Sequence, residues 1–224
     1  RFHSWVKDNL KKIGLDENDD QTFENFIQKD FKFYLKYYIK ILNAEKTLTT
    51  GLEYVYYINQ WGIARTLSFP LMLSPLNLCD SEEIVCRKIN IVARYIETFG
   101  VKRSINFKKF SANSIRYTMY LLVKDIRGED IDELKAIFSK KLSEMQESFN
   151  GMADFRLHGQ NYRFVKFLLS RITAWVEQKA GINTNFVSYF QPESGKPFEV
   201  EHIWADKFLD HTDEFKQEHE FKQY

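Results

Sequence analysis

The chain has little of several things, and each shortage excludes a class of protein. Only 9 glycines and 4 prolines occur in 224 residues, which excludes a collagen-like or low-complexity polymer. No stretch reaches the roughly 18 uninterrupted apolar residues that a spanning helix needs, so an integral membrane protein is not expected. Two cysteines, Cys79 and Cys86, are too few for a disulfide framework or a four-thiolate zinc site. Lacking a Cys-x-x-Cys spacing, they read as buried free thiols of a reducing, cytoplasmic setting. Phosphate-cradling GxxxxGK[ST], dinucleotide GxGxxG and nucleophile-elbow GxSxG patterns are absent. The opening Arg1-Phe2-His3-Ser4-Trp5 has neither an initiator Met nor a secretory pattern. The expectation is a piece cut from a longer protein.

What is present is apolar and aromatic. Hydrophobic residues make up 44% of the chain, with 20 Phe and 12 Tyr, enough for one sizeable core or two modest ones. A net charge of +1 hides an asymmetry. Between Cys86 and Arg127 lie ten Lys/Arg, among them Arg87, Lys88, Arg94, Lys102, Arg103, Lys108 and Lys109, against two acids, Glu97 and Asp125. A basic segment of this kind can neutralise phosphates. Its plain alternative is two helices with Lys and Arg on their wet faces. From Lys196 to Tyr224 the balance reverses, with four Lys against eight Asp/Glu.

The periodicity is helical. After Asp20, the spacing of Phe23, Phe26/Ile27, Phe31, Tyr34, Tyr38 and Ile41/Leu42 predicts a long amphipathic helix. Leu52 to Met72 reads as two helical pieces interrupted at Gly62 and Pro70, with a strand as the lesser option at Tyr54–Tyr57. Asp80 with Glu83 resembles a capping box. The stripe Val85, Ile89, Val92, Ile96 and Phe99 follows, with Gly100 as its stop and a loop from Val101 to Phe110. Further helices are expected at about 111–127, from Asp130 along Ile131, Leu134, Phe138, Leu142 and Met145, and at Tyr162–Val176 with Gly181 as the end. Phe198 to Ile203 alternates apolar and polar residues at the period of a strand. The expected fold is therefore mainly α: a helical, bundle-like domain over 1–181, a linker over 182–197, and a short, incomplete α+β segment over 198–224.

Chemistry has few places to sit. Of the five histidines, His202, His211 and His219 fall in the acidic tail. Their gaps do not match the i, i+4 spacing of helical zinc pairs. His158-Gly159-Gln160-Asn161 reads as a loop and helix cap rather than a nucleotide site. Glu201-His202, at the end of the alternating run, is the sharpest feature. A carboxylate there can help hold a hard divalent cation, and a neutral imidazole can take a proton from water. The alternative is a structural dipeptide.

Phe-Glu-Val-Glu-His-Ile-Trp-Ala-Asp-Lys-Phe at 198–208, followed by His211 and Asp213-Glu214-Phe215, resembles the opening of the C-terminal nuclease module of GmrSD-type restriction endonucleases. The segments 23–31, 95–103 and 162–172 are similar to the helical part of the same family. The resemblance implies an HNH-like, ββα-metal module in a bacterial, modification-dependent phage-defence enzyme that cuts DNA. It assigns Glu201 to the metal side and His202 to the general base. It also implies that the later Asn-bearing strand and metal-binding helix lie beyond Tyr224, and that the nucleotide-using domain precedes this chain. The divalent metal, Mg or similar, belongs to the complete module, and the nucleotide to that other domain. DNA is the expected partner, with a homo-oligomer as a further option and no membrane. The other class of function left open is a non-catalytic helical interaction or DNA-binding scaffold.

Overall fold

The computed structural model describes residues 2–60, 63–191, 198–200 and 207–222. Among these the chain is mainly helical and forms no strand. It divides into two compact units, Arg1–Arg156 and Leu157–Tyr224. The division falls earlier than the boundary expected at 181, because the helix at 162–179 packs against a following helical turn at 186–190.

The first unit begins with α1 (Phe2–Asp8) and a 3₁₀ turn at Leu10–Ile13. A continuous helix then runs from Asp20 to Ala44 as α2 (Asp20–Asn25), a π-helical turn (Phe26–Phe31) and α3 (Lys32–Ala44). Asp19 caps it, its side chain accepting from the Gln21 N–H at 3.0 Å. The wide turn rotates the downstream face relative to the upstream one. Tyr37, Ile41 and Ala44 are the residues of this helix that are buried. Of the expected stripe, Ile41 at its carboxyl end is buried, whereas Phe23, Ile27, Phe31, Tyr34 and Tyr38 keep more than a third of their surface exposed, Tyr34 donating to the Leu76 carbonyl at 3.0 Å and Tyr38 packing on Phe69.

Next come α4 (Glu53–Asn59) and α5 (Arg65–Leu73), so Tyr54–Tyr57 is helical rather than extended. Pro70 lies inside α5 without ending it, and Gly62 is outside the described residues. The centre of the unit is α6 (Glu82–Ile105), which packs against α4, α5 and α8 (Ile131–Ser143). Ser81 caps α6, its hydroxyl accepting from the Ile84 N–H at 3.3 Å. Asp80, expected in that role, is used elsewhere. Nor does Gly100 stop the helix. Val101 and Ile105 continue the buried surface beyond it, and that burial outweighs the roughly 1 kcal/mol penalty of a glycine inside a helix. The loop expected at 101–110 is thus helical to Ile105.

Ser111 starts α7 (Ala112–Asp125), and Asp130 caps α8, accepting from the N–H groups of Asp132 and Glu133 at 2.9 and 3.0 Å. Those donors hold the Asp130 carboxyl below its ordinary pKa. Burial pushes the Tyr95 phenol, in the middle of α6, up to about 12.

In the second unit, α9 (Tyr162–Lys179) buries Phe167, Ser170 and Ala174. The rings of Phe186 and Phe190 in the short α10 (Phe186–Phe190) cover Phe167 at centroid distances of 5.3 and 5.9 Å. Part of the expected linker is therefore helix. Gly181, at φ 80°, turns the chain out of α9, and the Ile182 N–H returns to the Glu177 carbonyl at 2.9 Å. Of the stripe that the helical period predicts here, Val165 is half-buried, while Tyr162, Leu169, Ile172 and Val176 are exposed.

Candidate functional site

Glu201 and His202 lie outside the described residues. Their amino-terminal neighbours, 198–200, carry no strand. Phe198 packs on Tyr189 with ring centroids 5.2 Å apart, and the Val200 N–H reaches the Tyr162 hydroxyl at 3.4 Å. The strand expected over 198–203 is thus not formed at 198–200, and 201–203 lie outside the described residues. The expected α+β character is not formed among the described residues. Downstream, a 3₁₀ turn at Phe208–His211 precedes α11 (Glu218–Phe221). The His211 ring stacks on Phe221 at 5.4 Å, and His219 is exposed. No three His, Cys, Asp or Glu side chains gather as metal ligands among the described residues.

The basic segment is where the structure corrects the sequence most. Of the seven residues expected on phosphates, Lys88 and Lys102 are buried, at 2% and 9% exposure. The Lys88 ammonium donates to Asp80 Oδ2 at 2.8 Å and to the Pro75 carbonyl at 2.9 Å. Asp80 Oδ2 also accepts from the Asn77 N–H at 2.9 Å, and the Asn77 amide donates to the Gly128 carbonyl at 2.8 Å. The Gly128 N–H returns to Ser74 O at 3.0 Å. A buried ion pair therefore ties the 74–81 loop to α6, and the amide of Asn77 carries the tie on to the turn before α8.

A second set gathers at the carboxyl end of α6. Lys102 Nζ donates to the Leu142 carbonyl at 2.7 Å. This carbonyl lies in the last turn of α8, where the helix dipole favours a cation. Arg103 pairs with Glu147 at 3.2 Å, donates to the Lys109 carbonyl at 3.0 Å, and stands 5.6 Å from the Phe99 ring centroid. Asn106 donates to the carbonyls of Lys102 and Ser148, both at 2.7 Å. Gly151 sits so close to this amide that a Cβ there would stand 2.8 Å from Asn106 Oδ1. Lys88, Lys102 and Arg103 are thus committed to protein partners. The physical reason is position: Lys88 lies three residues after Val85 and four before Val92, and Lys102 three after Phe99 and three before Ile105. Each falls on the core-facing stripe.

Arg87, Arg94, Lys108 and Lys109 remain exposed. Arg87 and Arg94 are seven residues apart, on one edge of α6 and about 10 Å from each other along its axis. Arg94 leans over Tyr54, 5.8 Å from the ring centroid.

Sequence reasoning passed over another charged group, Glu45. Its carboxylate is almost fully buried and accepts from Arg65 Nε at 2.8 Å. Burial pushes its pKa up, although the Arg65 guanidinium pulls the other way. The signal was available: Glu45 follows Ala44 at the end of the face that carries Tyr37 and Ile41. Cys79 is exposed and Cys86 half-buried, both as free thiols, so the expectation of buried thiols holds for neither in full.

No described helix is long and apolar enough to cross a membrane. No protein-family model, curated protein or solved structure matches the chain.

Proposed function

We propose that the chain is the helical part of a metal-dependent DNA endonuclease of the GmrSD restriction type, together with the opening of its HNH-like module. The observation that carries this reading is the run from Phe198 to Phe208 with Glu201-His202 at its centre, following a largely helical body. In this reading His202 takes a proton from the attacking water, and Glu201 contributes an oxygen to a divalent cation. Mg or a similar ion and the ligands that complete its site belong to the full module, and a nucleotide to a separate domain. The helical units act as scaffold. DNA contact falls to the exposed Arg87, Arg94, Lys108 and Lys109, in a bacterial cytoplasm.

The test is plasmid cleavage with added Mg²⁺ by the full-length protein that contains this chain. His202→Ala is expected to lower cleavage about 100- to 10,000-fold with an unchanged melting temperature. A folded, fully active His202→Ala protein ends the assignment.

The second reading is a non-catalytic helical interaction module. It is favoured by the commitment of Lys88, Lys102 and Arg103 to internal partners. Under that reading, Arg87→Ala with Arg94→Ala leaves DNA affinity and its salt dependence unchanged.

A further inference from the structure

The helix from Asp20 to Ala44 presents its most regular apolar stripe to solvent. Phe23, Ile27, Phe31 and Leu35 succeed one another every four residues, with Tyr38 and Ile39 continuing the stripe. Their exposures run from 39% for Ile27 and Tyr38 to 52% for Phe23. The π-helical turn at 26–31 keeps this four-residue spacing on one line, because a wider turn needs more residues per revolution. Together these side chains offer on the order of 500 Å² of largely apolar surface, within reach of the ~800 Å² each partner contributes to a standard interface.

Charge along the helix says what covers the stripe. The amino end is acidic, with Asp19, Asp20 and Glu24. The carboxyl half is basic, with Lys29, Lys32, Lys36 and Lys40 against a single acid, Asp30. Glu24, Lys32 and Lys36 each follow a stripe residue by one position (Phe23, Phe31 and Leu35), so they line the same flank of the stripe. Such a helix complements an antiparallel copy of itself. A two-fold axis crossing the π-helical turn sets Phe23 against Leu35 of the second copy and Ile27 against its Phe31. It also sets Glu24 beside Lys32 of that copy, and every contact occurs twice by symmetry. Lys32 pairs with no acid among the described residues, whereas Lys36 and Lys40 already share Glu82 at 3.1 and 2.5 Å.

We infer that two copies of this chain associate antiparallel through the 20–44 helix, with Phe23, Ile27, Phe31 and Leu35 as the buried strip and Glu24–Lys32 as the flanking ion pairs. The inference is independent of the nuclease reading, since it uses none of residues 198–224.

Sedimentation equilibrium across the micromolar range tests it. The wild-type chain is expected to show a monomer–dimer equilibrium. Phe31→Glu with Leu35→Glu, both at exposed positions, is expected to give monomer throughout, with an unchanged circular-dichroism spectrum. Glu24→Lys, which sets like charges beside each other twice, is expected to weaken the dimer roughly 10-fold. Adding Lys32→Glu to Glu24→Lys restores opposite charges and with them the wild-type constant. Should the double glutamate variant unfold, the charge pair carries the test alone. A wild-type chain that stays monomeric, a dimer indifferent to Phe31→Glu, or a charge swap without rescue overturns the inference. So does binding of the monomer to anionic phospholipid vesicles without self-association, which would assign the stripe to a lipid surface.

Discussion

The α6 helix and the 20–44 helix divide charged and apolar residues in opposite ways. In α6 the basic residues that look like a surface patch are drawn inside: Lys88 closes on Asp80, and Lys102 on the last turn of α8. In the 20–44 helix most of the stripe that looks like a core face lies outside, while Ile41 at its carboxyl end packs together with Tyr37 and Ala44. Periodicity identifies a helix in both cases, but it does not say how many neighbours the helix has. An element surrounded on most sides buries whatever lies on its circumference, lysines included, provided each finds a partner. A peripheral helix has one packing side, and a second apolar stripe is left for something else.

The largest effect that sharpens this contrast is expected at Lys88. Lys88→Ala leaves Asp80 buried without its cation and is expected to cost about 3–5 kcal/mol in urea unfolding. Replacing both partners, Lys88→Met with Asp80→Asn, is expected to recover much of that loss, because neither then carries a buried charge. A loss below about 1 kcal/mol, the range of an exposed pair, would return Lys88 to the surface and break the contrast.

A smaller effect is expected where the two helices meet in charge. Glu82 opens α6 and accepts from Lys36 and Lys40 of the 20–44 helix, and these two ammonium groups hold its carboxyl down to about 2, from 4.5. A carboxyl lowered on folding stabilises above its unfolded pKa and loses that contribution as pH falls through the folded one. The melting-temperature gap between wild type and Glu82→Gln is therefore expected to be full above about pH 4.5 and to close toward pH 2. Because the group is exposed, the gap also shrinks with added salt. A gap that widens as the solution is acidified contradicts the pairing.

Much of the helical fold was legible in the sequence, because each long helix carries a 3.6-residue pattern and several carry a cap. Asp130 and Gly181 do at the helix ends what their residue types suggest. Gly100 does not, since Val101 and Ile105 on its far side have a core to enter. Asp80 misleads as a cap because its short carboxylate has a stronger partner eight residues on, in Lys88, while Ser81 serves the helix end. The basic segment could have been read better by placing each residue on the helical wheel than by counting charge. Lys88 and Lys102 fall among Val85, Val92, Phe99 and Ile105, whereas Arg87 and Arg94 fall on the opposite edge. The strand period at 198–203 needs a partner strand that the described residues do not supply, and Glu201 and His202 stay outside them.

Lysine accessibility tests the central contrast most directly. Amine acetylation of the native chain, read residue by residue by mass spectrometry, compares Lys88 and Lys102 with Lys46, Lys108 and Lys109, which are exposed, in one sample. Lys46, Lys108 and Lys109 are expected to react at the rate of open amines. Lys88 and Lys102 are expected to react only as fast as the first unit opens, with denaturant bringing all five to one rate. Acetylation of Lys88 as fast as Lys108 in the native protein would contradict a buried basic stripe on α6.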